Sequence, residues 1–521
     1  MIILVAIVLP GLSRAQISTD QLLDTLQRSA FNFFWNEVNP ANGLIRDRSS
    51  SGAPSSIASV GFGLTAICIG ADHGWVQRDR ARDRVMTTLN TFWRGPQGSG
   101  TSGTTGNFGL FYHFLDMSTA TRTWNSELST IDTGLLLAGI IYARQYFDGS
   151  DSVETSIRAT ADSIYRRMNW NLMRNFNPGI LMGWQPETGF SGYGQWIGYN
   201  EAMIMYILAY GSPTHPITDD YGWRAWTSGY SWQTQYGYSY VIFPPLFGHQ
   251  YSHCWVDFRG IADATMRGRG IDYFENSRRA TLAQQAYCVS NPGGFAGYGD
   301  SLWGITASDA PGGYSARGAP PPQNDDGTLA PTASISSIPF APEVVIPAAR
   351  NMWNAWRDSL WHPAGYGFRD AFNPGAHWWG PDVIGIDQGP IIIMIENYRT
   401  GSVWNRFMRN PDVLRGLDRI GFLPVAAVEA DPQVSETFAL YQNYPNPFNG
   451  STVIRFVLPA GGHARLGVFD ILGRESLILD GVLSAGIHSI ALNADGLASG
   501  VYQYYLQSNG KTSSRKFILA K

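Results

Sequence analysis

Near residue 424 the hydrophobic pattern of this chain changes period, and one layer architecture cannot accommodate both halves. From about residue 19 to 420 apolar residues recur at helical spacing. Ser18, Thr19 and Asp20 offer N-caps for a helix carrying Leu22, Leu23, Leu26, Phe31, Phe34 and Trp35. Further helical segments read at about 57–73, 77–94, 128–148, 151–172, 198–210, 257–267, 270–289, 341–358 and 386–408. Segments 57–73 with 77–94, and 128–148 with 151–172, pair as αα-hairpins. The loops at 95–126, 173–197, 212–256 and 291–337 are long, and long loops inside a compact domain are usually functional. About ten to twelve helices in successive hairpins suit a toroid of inner and outer helices, although periodicity does not separate that from another helical array. Beyond a polar, Pro-containing linker, 452–458, 464–469, 487–492 and 500–506 alternate in the manner of strands between Gly-rich turns. The expected organisation is a helical domain over 19–422, a linker over 423–436 and a small β-sandwich over 437–521.

Residues 1–15 (MIILVAIVLPGLSRA) read as an apolar signal-peptide core followed by a small-residue cleavage site. The apolar run is short for a bilayer, so the expected mature protein is exported without a stable membrane span. A net charge of -4 gives no basic face for nucleic acid. The three cysteines, Cys68, Cys254 and Cys288, lack zinc-ligand spacing, and a Cys254–Cys288 bridge is left open. No metal or cofactor is expected. P-loop and nucleophile-elbow motifs are missing, and Gly61-Phe62-Gly63 lacks the third glycine of a dinucleotide site.

Aromatic residues make up 13% of the chain, charged ones only 15%, and the 18 Trp exceed what a core alone asks for. Flat rings in long loops can stack on sugar faces, so Trp184, Trp196, Tyr199, Tyr298 and Trp303 read as substrate platforms. Glycoside hydrolysis needs one carboxylic acid to protonate the leaving oxygen and a second carboxylate as nucleophile or water activator. Glu201 precedes a very apolar helix and is the leading general acid. Glu127 and Asp132 precede another and compete for the second role. Asp132 also fits an N-cap, and Asp116 is a further candidate. Asn200, His215, His249, Arg259, Asp309 and Asp387 read as hydrogen-bonding groups for sugar hydroxyls. The histidines lack metal spacing, and Arg259 also suits a local pair with Asp257.

Two resemblances sharpen this reading. The tail is similar to the C-terminal sorting domain of the type IX secretion system, on YQNYPNPFN at 441–449, VFDILG at 468–473, Gly500-Val501-Tyr502 and the final KFIL at 516–519. It implies an immunoglobulin-like fold, recognition by the type IX secretion machinery, and a secreted or surface-attached protein. The helical part resembles the bacterial glucoamylase-like family that includes the endo-β-1,2-glucanases. Seven ordered blocks carry the resemblance: GLFYHFLD at 109–116, ELSTIDT at 127–133, GYNEAM at 198–203, GSPTHP at 211–216, FGHQYSH at 247–253, WGITASD at 303–309 and GIDQGP at 385–390. The resemblance implies an all-α (α/α)6 toroid and an inverting endo-β-1,2-glucanase; a monomer is expected separately. A transglycosylase or exo-acting glucosidase of the same fold is the near alternative, and a non-catalytic surface glycan-binding protein the distant one. A lyase for acidic polysaccharide would want a basic cleft, which this sequence does not offer.

Overall fold

The computed structural model describes residues 17–425, 438–443, 446, 448, 451–483, 486–494 and 496–519. The leader at 1–15, most of the linker and part of the NYPNPFN block lie outside the described residues. Helices run α1 (Thr19–Asn36), α2 (Ile57–Asp72), α3 (Arg78–Arg94), α4 (Thr130–Tyr146), α5 (Ser152–Arg167), α6 (Met203–Gly211), α7 (Tyr221–Ser228) and α8 (Ala264–Arg267). They continue as α9 (Tyr273–Ser290), α10 (Pro331–Ile335), α11 (Pro342–Asn351), α12 (Arg357–Leu360), α13 (Gly385–Arg399), α14 (Ser402–Phe407) and α15 (Pro411–Ile420). Ser18 caps α1 in a reciprocal box with Gln21.

The chain divides into two compact units: Met1–Arg259 with Tyr273–Phe422, and Gly260–Asp272 with Leu423–Lys521. In the first unit α13, α2, α4 and α6 pack in series, each against the next. All four are buried almost from end to end. The amphipathic α1, α3 and α5 back this series, α1 against α13 and α2, α3 against α2 and α5, and α5 against α4. Glycines set the closest approach. A Cβ on Gly61 would stand 2.3 Å from the Leu135 carbonyl oxygen, and one on Gly139 would stand 2.0 Å from the Gly61 oxygen. Gly61 therefore serves helix packing, not nucleotide binding. Gly61→Ala should push α2 off α4 and cost about 1–3 kcal/mol, read as a lowered denaturation midpoint.

The expected helix over 257–267 shrinks to α8. Gly260 sits at φ +74° and Gly270 at +72°, and the stretch before α8 pairs instead, Ile261–Ala262 antiparallel to Leu423–Pro424. Conversely, the supposed loop 212–256 holds α7 and a hairpin of Trp232–Gln235 with Tyr238–Val241. Helix α15 was also not anticipated, although Asn410-Pro411 is a strong start: the Asn410 side chain accepts from Asp412 and Val413 backbone N–H groups.

In the second unit, Ala439–Leu440, Ser451–Leu458 and Gly486–Asn493 form one antiparallel sheet. Glu475–Leu483, Gly462–Phe469, Gly500–Ser508 and Lys511–Leu519 form another. Phe456, Leu466, Leu492, Tyr504, Leu506 and Phe517 share one core between them. The strands Glu475–Leu483 and Lys511–Leu519 were missed because they are the edges of their sheet and carry mostly half-buried or exposed side chains, which blurs alternation. Cys68, Cys254 and Cys288 are buried and unpaired, so the Cys254–Cys288 bridge is not formed. Among the described residues no helix is long and apolar enough to cross a membrane.

Candidate active site at the helix starts

Glu201 stands two residues before α6, with its backbone fixed from both sides. The Asn200 side-chain oxygen accepts from the Ala202 N–H at 2.9 Å. Ser252 Oγ donates to the Glu201 carbonyl at 2.9 Å and accepts from the Ile204 N–H at 3.0 Å. Gly198, at φ +84°, supplies the turn before this segment. The Glu201 carboxyl is partly reachable by solvent but poorly hydrated. Loss of hydration, reinforced by the nearby charge of Asp132 and opposed by its own backbone N–H, raises its pKa to about 7.

Asp132 occupies the first turn of α4. Ser129 is the cap of that helix: its Oγ accepts from the Asp132 N–H at 3.2 Å and donates to Asp132 Oδ2 at 2.5 Å. His113 lies between Asp132 and Glu127, with Nδ1 2.9 Å from Glu127 Oε1 and Nε2 3.7 Å from Asp132 Oδ1. Burial disfavours the imidazolium, yet the carboxylates of Asp132, Glu127 and Asp47 outweigh it and hold His113 at about 9. Burial also works against ionised Glu127, and the hydrogen bond and charge of His113 overcome that and keep Glu127 below its ordinary range. Donor atoms of His113, Glu127 and Asp132 lie within 4.8 Å of one another, a spacing that a metal ion could use.

A second acidic group gathers at the start of α13. Arg48 bonds Asp309 Oδ2 at 2.9 Å and Asp47 Oδ2 at 3.2 Å, and lies 3.6 Å from Asp382. The Asp309 N–H donates to Asp370 at 2.7 Å. Asp370 and Asp387, both buried, hydrogen-bond each other. Desolvation raises both, and the charge of Asp370 pushes Asp387 up further. The second Asp387 oxygen has no protein partner. Tyr251 and Tyr314 feel the charges of both Asp387 and Glu201, which ties the two carboxyl groups to one region. Sequence reasoning gave no role to Arg48, Asp370 and Tyr314, which lie outside the matching blocks, nor to His113, which lies inside the block at 109–116.

The remaining residues fall into three sets. Trp196 is half-buried and donates from Nε1 to Thr130 at 3.0 Å, beside the start of α4, and Asp309 keeps a partly exposed edge. Tyr199 (4% exposed), His249 (0%), Trp303 (1%) and Trp184 (8%) are core residues, which corrects their reading as open sugar platforms or donors. Ser277 ties Tyr199 to this interior, and burial keeps His249 neutral, at about 3. Asn200 is spent on the turn before α6. His215 lies past the C-terminal end of α6, the end away from Glu201, and bonds Thr214. Arg259 pairs with Asp257 at 2.8 Å and stacks over Trp404 in α14, beyond the far end of α13 from Asp387. Tyr298 donates to Asp325 at 2.6 Å. Asp116 accepts from Ser118 and Thr119 and shapes a turn.

Residues 193–411 match the Glycoamylase family. A crystal structure of a glucoamylase-like protein from Bacteroides uniformis is 34% identical, covers 79% of this chain and is itself 99% covered, with a TM-score of 0.73. The chain belongs to the Glycoamylase family. Residues 442–520 of this family member match the secretion system C-terminal sorting domain. Its helical part is also similar to an endo-β-1,2-glucanase of Chitinophaga pinensis, at 29% identity over 78% of this chain and 99% of that one, TM-score 0.72. The chain is 31% identical, over 78% of its length, to an exo β-1,2-glucooligosaccharide sophorohydrolase (non-reducing end) of Parabacteroides distasonis. The chain spans 58% of the length of that curated relative.

Proposed function

We propose that this chain is an exported glycoside hydrolase for β-1,2-linked glucan. In this reading Glu201 is the general acid and Asp132 activates water in an inverting reaction. The observation that carries it is the contrast between two nearby carboxyl groups. Glu201 is poorly hydrated and titrates at about 7, while Asp132 faces the His113 cation. A carboxyl group kept protonated near neutral pH with a second carboxyl group nearby is what a two-carboxylate hydrolase requires. Glu127, engaged by His113, is a supporting group and not the base. The surrounding carboxylates, relieved mainly by Arg48 and His113, would repel a uronate polymer, which favours a neutral glucan over an acidic one. The buried series of helices backed by amphipathic ones supports closure into an (α/α)6 toroid. Two sheets sharing one core support an immunoglobulin-like tail, and its sorting-domain match supports type IX export to the cell surface or beyond.

A panel of linear glucans of different linkage, with products resolved by length, tests this reading. Endo action should release mixed oligosaccharides early from β-1,2-glucan alone. Steady release of one disaccharide would favour the exo reading, which the Parabacteroides distasonis relative supports. Turnover of none of the linkages would remove the proposal.

Trp124, 67% exposed, was not singled out by sequence. It packs at 5.2 Å on Phe114, whose ring stacks at 3.9 Å on His113. Its loop is held by the buried Arg122, which bonds both oxygens of Glu187 and the Ser126 carbonyl. As a sugar platform, Trp124 should matter to binding alone: Trp124→Ala is expected to raise KM about three- to tenfold with kcat nearly unchanged, in steady-state assays on the polymer.

A further inference from the structure

We propose that Tyr314 is a substrate-contacting residue whose ring forms one wall of the glucan cleft beside Glu201 and Asp387. Its ligand is the β-1,2-glucan of the function proposed above, and the assignment rests on that reading. Residues 308–315 form a tight hairpin. Ser308 and Ser315 exchange backbone hydrogen bonds at 3.2 and 3.1 Å, and the Ala310 carbonyl accepts from the Gly313 N–H at 2.9 Å. Pro311 and Gly312 make the turn, and Gly313 follows at φ +102°. Between those two backbone pairs Asp309 and Tyr314 stand opposite each other. Opposite residues of an antiparallel pair send their side chains to the same face. The Asp309 carboxylate is bonded by Arg48 at 2.9 Å, and the Asp309 N–H donates to Asp370 at 2.7 Å. The face that carries Tyr314 is therefore turned towards the acidic group at the start of α13.

The electrostatics agree with that direction. Loss of hydration raises the Tyr314 hydroxyl, and the charges of Asp387, Asp370, Glu201 and Asp309 push it the same way. The residue is nonetheless 61% exposed. A side chain that is open to solvent yet poorly hydrated at its tip lies along a cleft, with the hydroxyl inward and a ring face free. The foot of the hairpin is pinned: the buried Arg317 donates to the Ser308 carbonyl at 2.9 Å and to Asp326 at 2.9 Å. Its tip is bare. Residues 311–314 are exposed, and a Cβ on Gly312 or Gly313 would meet nothing within 4 Å. A tyrosine held out on a pinned hairpin gives up little freedom on binding, and a neutral phenol adds no charge to a site crowded with carboxylates. Both properties suit an uncharged sugar, whose CH face can lie on the ring.

The test is the affinity of the full chain carrying Glu201→Gln for a linear β-1,2-linked gluco-oligosaccharide, measured by calorimetry with and without a second substitution at Tyr314. Tyr314→Ala should weaken binding about tenfold, and Tyr314→Phe, which keeps the ring, should stay within about twofold of the parent. Undiminished affinity in the Ala variant, or a Phe variant as weak as Ala, would overturn the inference. Hydroxyl-radical footprinting of the parent needs no change at this position. Oxidation of Tyr314 should fall when the oligosaccharide binds, relative to Tyr221, which is exposed at the start of α7 beside the far end of α6. Oxidation that does not fall overturns the inference as well. The two levels separate cleanly. If the parent binds no glucan of any linkage, the glycan reading itself has failed. If it binds the β-1,2-linked oligosaccharide and Tyr314→Ala binds it equally well, only this inference has failed.

Discussion

Glu201→Gln is expected to lower kcat on β-1,2-glucan by about 10²–10⁴-fold with little change in KM. Gln keeps the shape and the turn made by Asn200 and Ser252, and removes only the transferable proton. The pH dependence follows from the raised pKa. The active form is protonated, so wild-type kcat should fall as pH rises through about 7, and the residual rate of the variant should lack that alkaline limb. Stability should respond to pH in the same sense as activity. A carboxyl raised in the folded state favours folding while protonated and loses that contribution as pH climbs from its unfolded value towards 7. The gain in melting temperature from Glu201→Gln should therefore be larger at pH 8 than at pH 5. A variant with near wild-type turnover would remove Glu201 as the acid and turn attention to the Asp370–Asp387 pair.

Asp132→Asn should also abolish most turnover, by about 10²–10⁴-fold, while leaving the melting temperature nearly unchanged. The sequence allowed Asp132 to be either a helix cap or a catalytic group. The structure separates the two, because Ser129 is the cap and accepts from the Asp132 backbone N–H, which the substitution keeps. Had Asp132 been the cap, its loss would cost about 1 kcal/mol of stability and little rate. Thermal melts and initial rates on the same preparation check both halves of the expectation.

Element type was legible where the apolar pattern ran long. Helices α1 to α5 lie within a few residues of their expected bounds, because each carries a clear apolar stripe or an unbroken apolar run with caps at the ends. Short or edge elements were not. Helix α8 is bracketed by glycines at positive φ, and Lys511–Leu519 shows too many polar side chains to alternate cleanly. Among candidate residues, Glu201 and Asp132 stood out in the sequence because a lone carboxyl beside an apolar helix is conspicuous. Tyr199, His249 and Trp303 were misjudged because a ring in a loop looks the same whether the loop is open or folded over the core.

The sequence by itself determined two units of different period, the helices that form the buried series, and the carboxyl groups standing at their starts. Those are local properties, set by side-chain spacing and capping along a few turns. Only the tertiary structure decided what each carboxyl group is. Burial beside α6 raises the Glu201 carboxyl, His113 from a separate segment is brought beside Asp132, and Asp370 is brought against Asp387 from seventeen residues earlier in the chain. Hydration and the charges within a few ångströms set a protonation state, and both come from residues that the chain brings together only on folding.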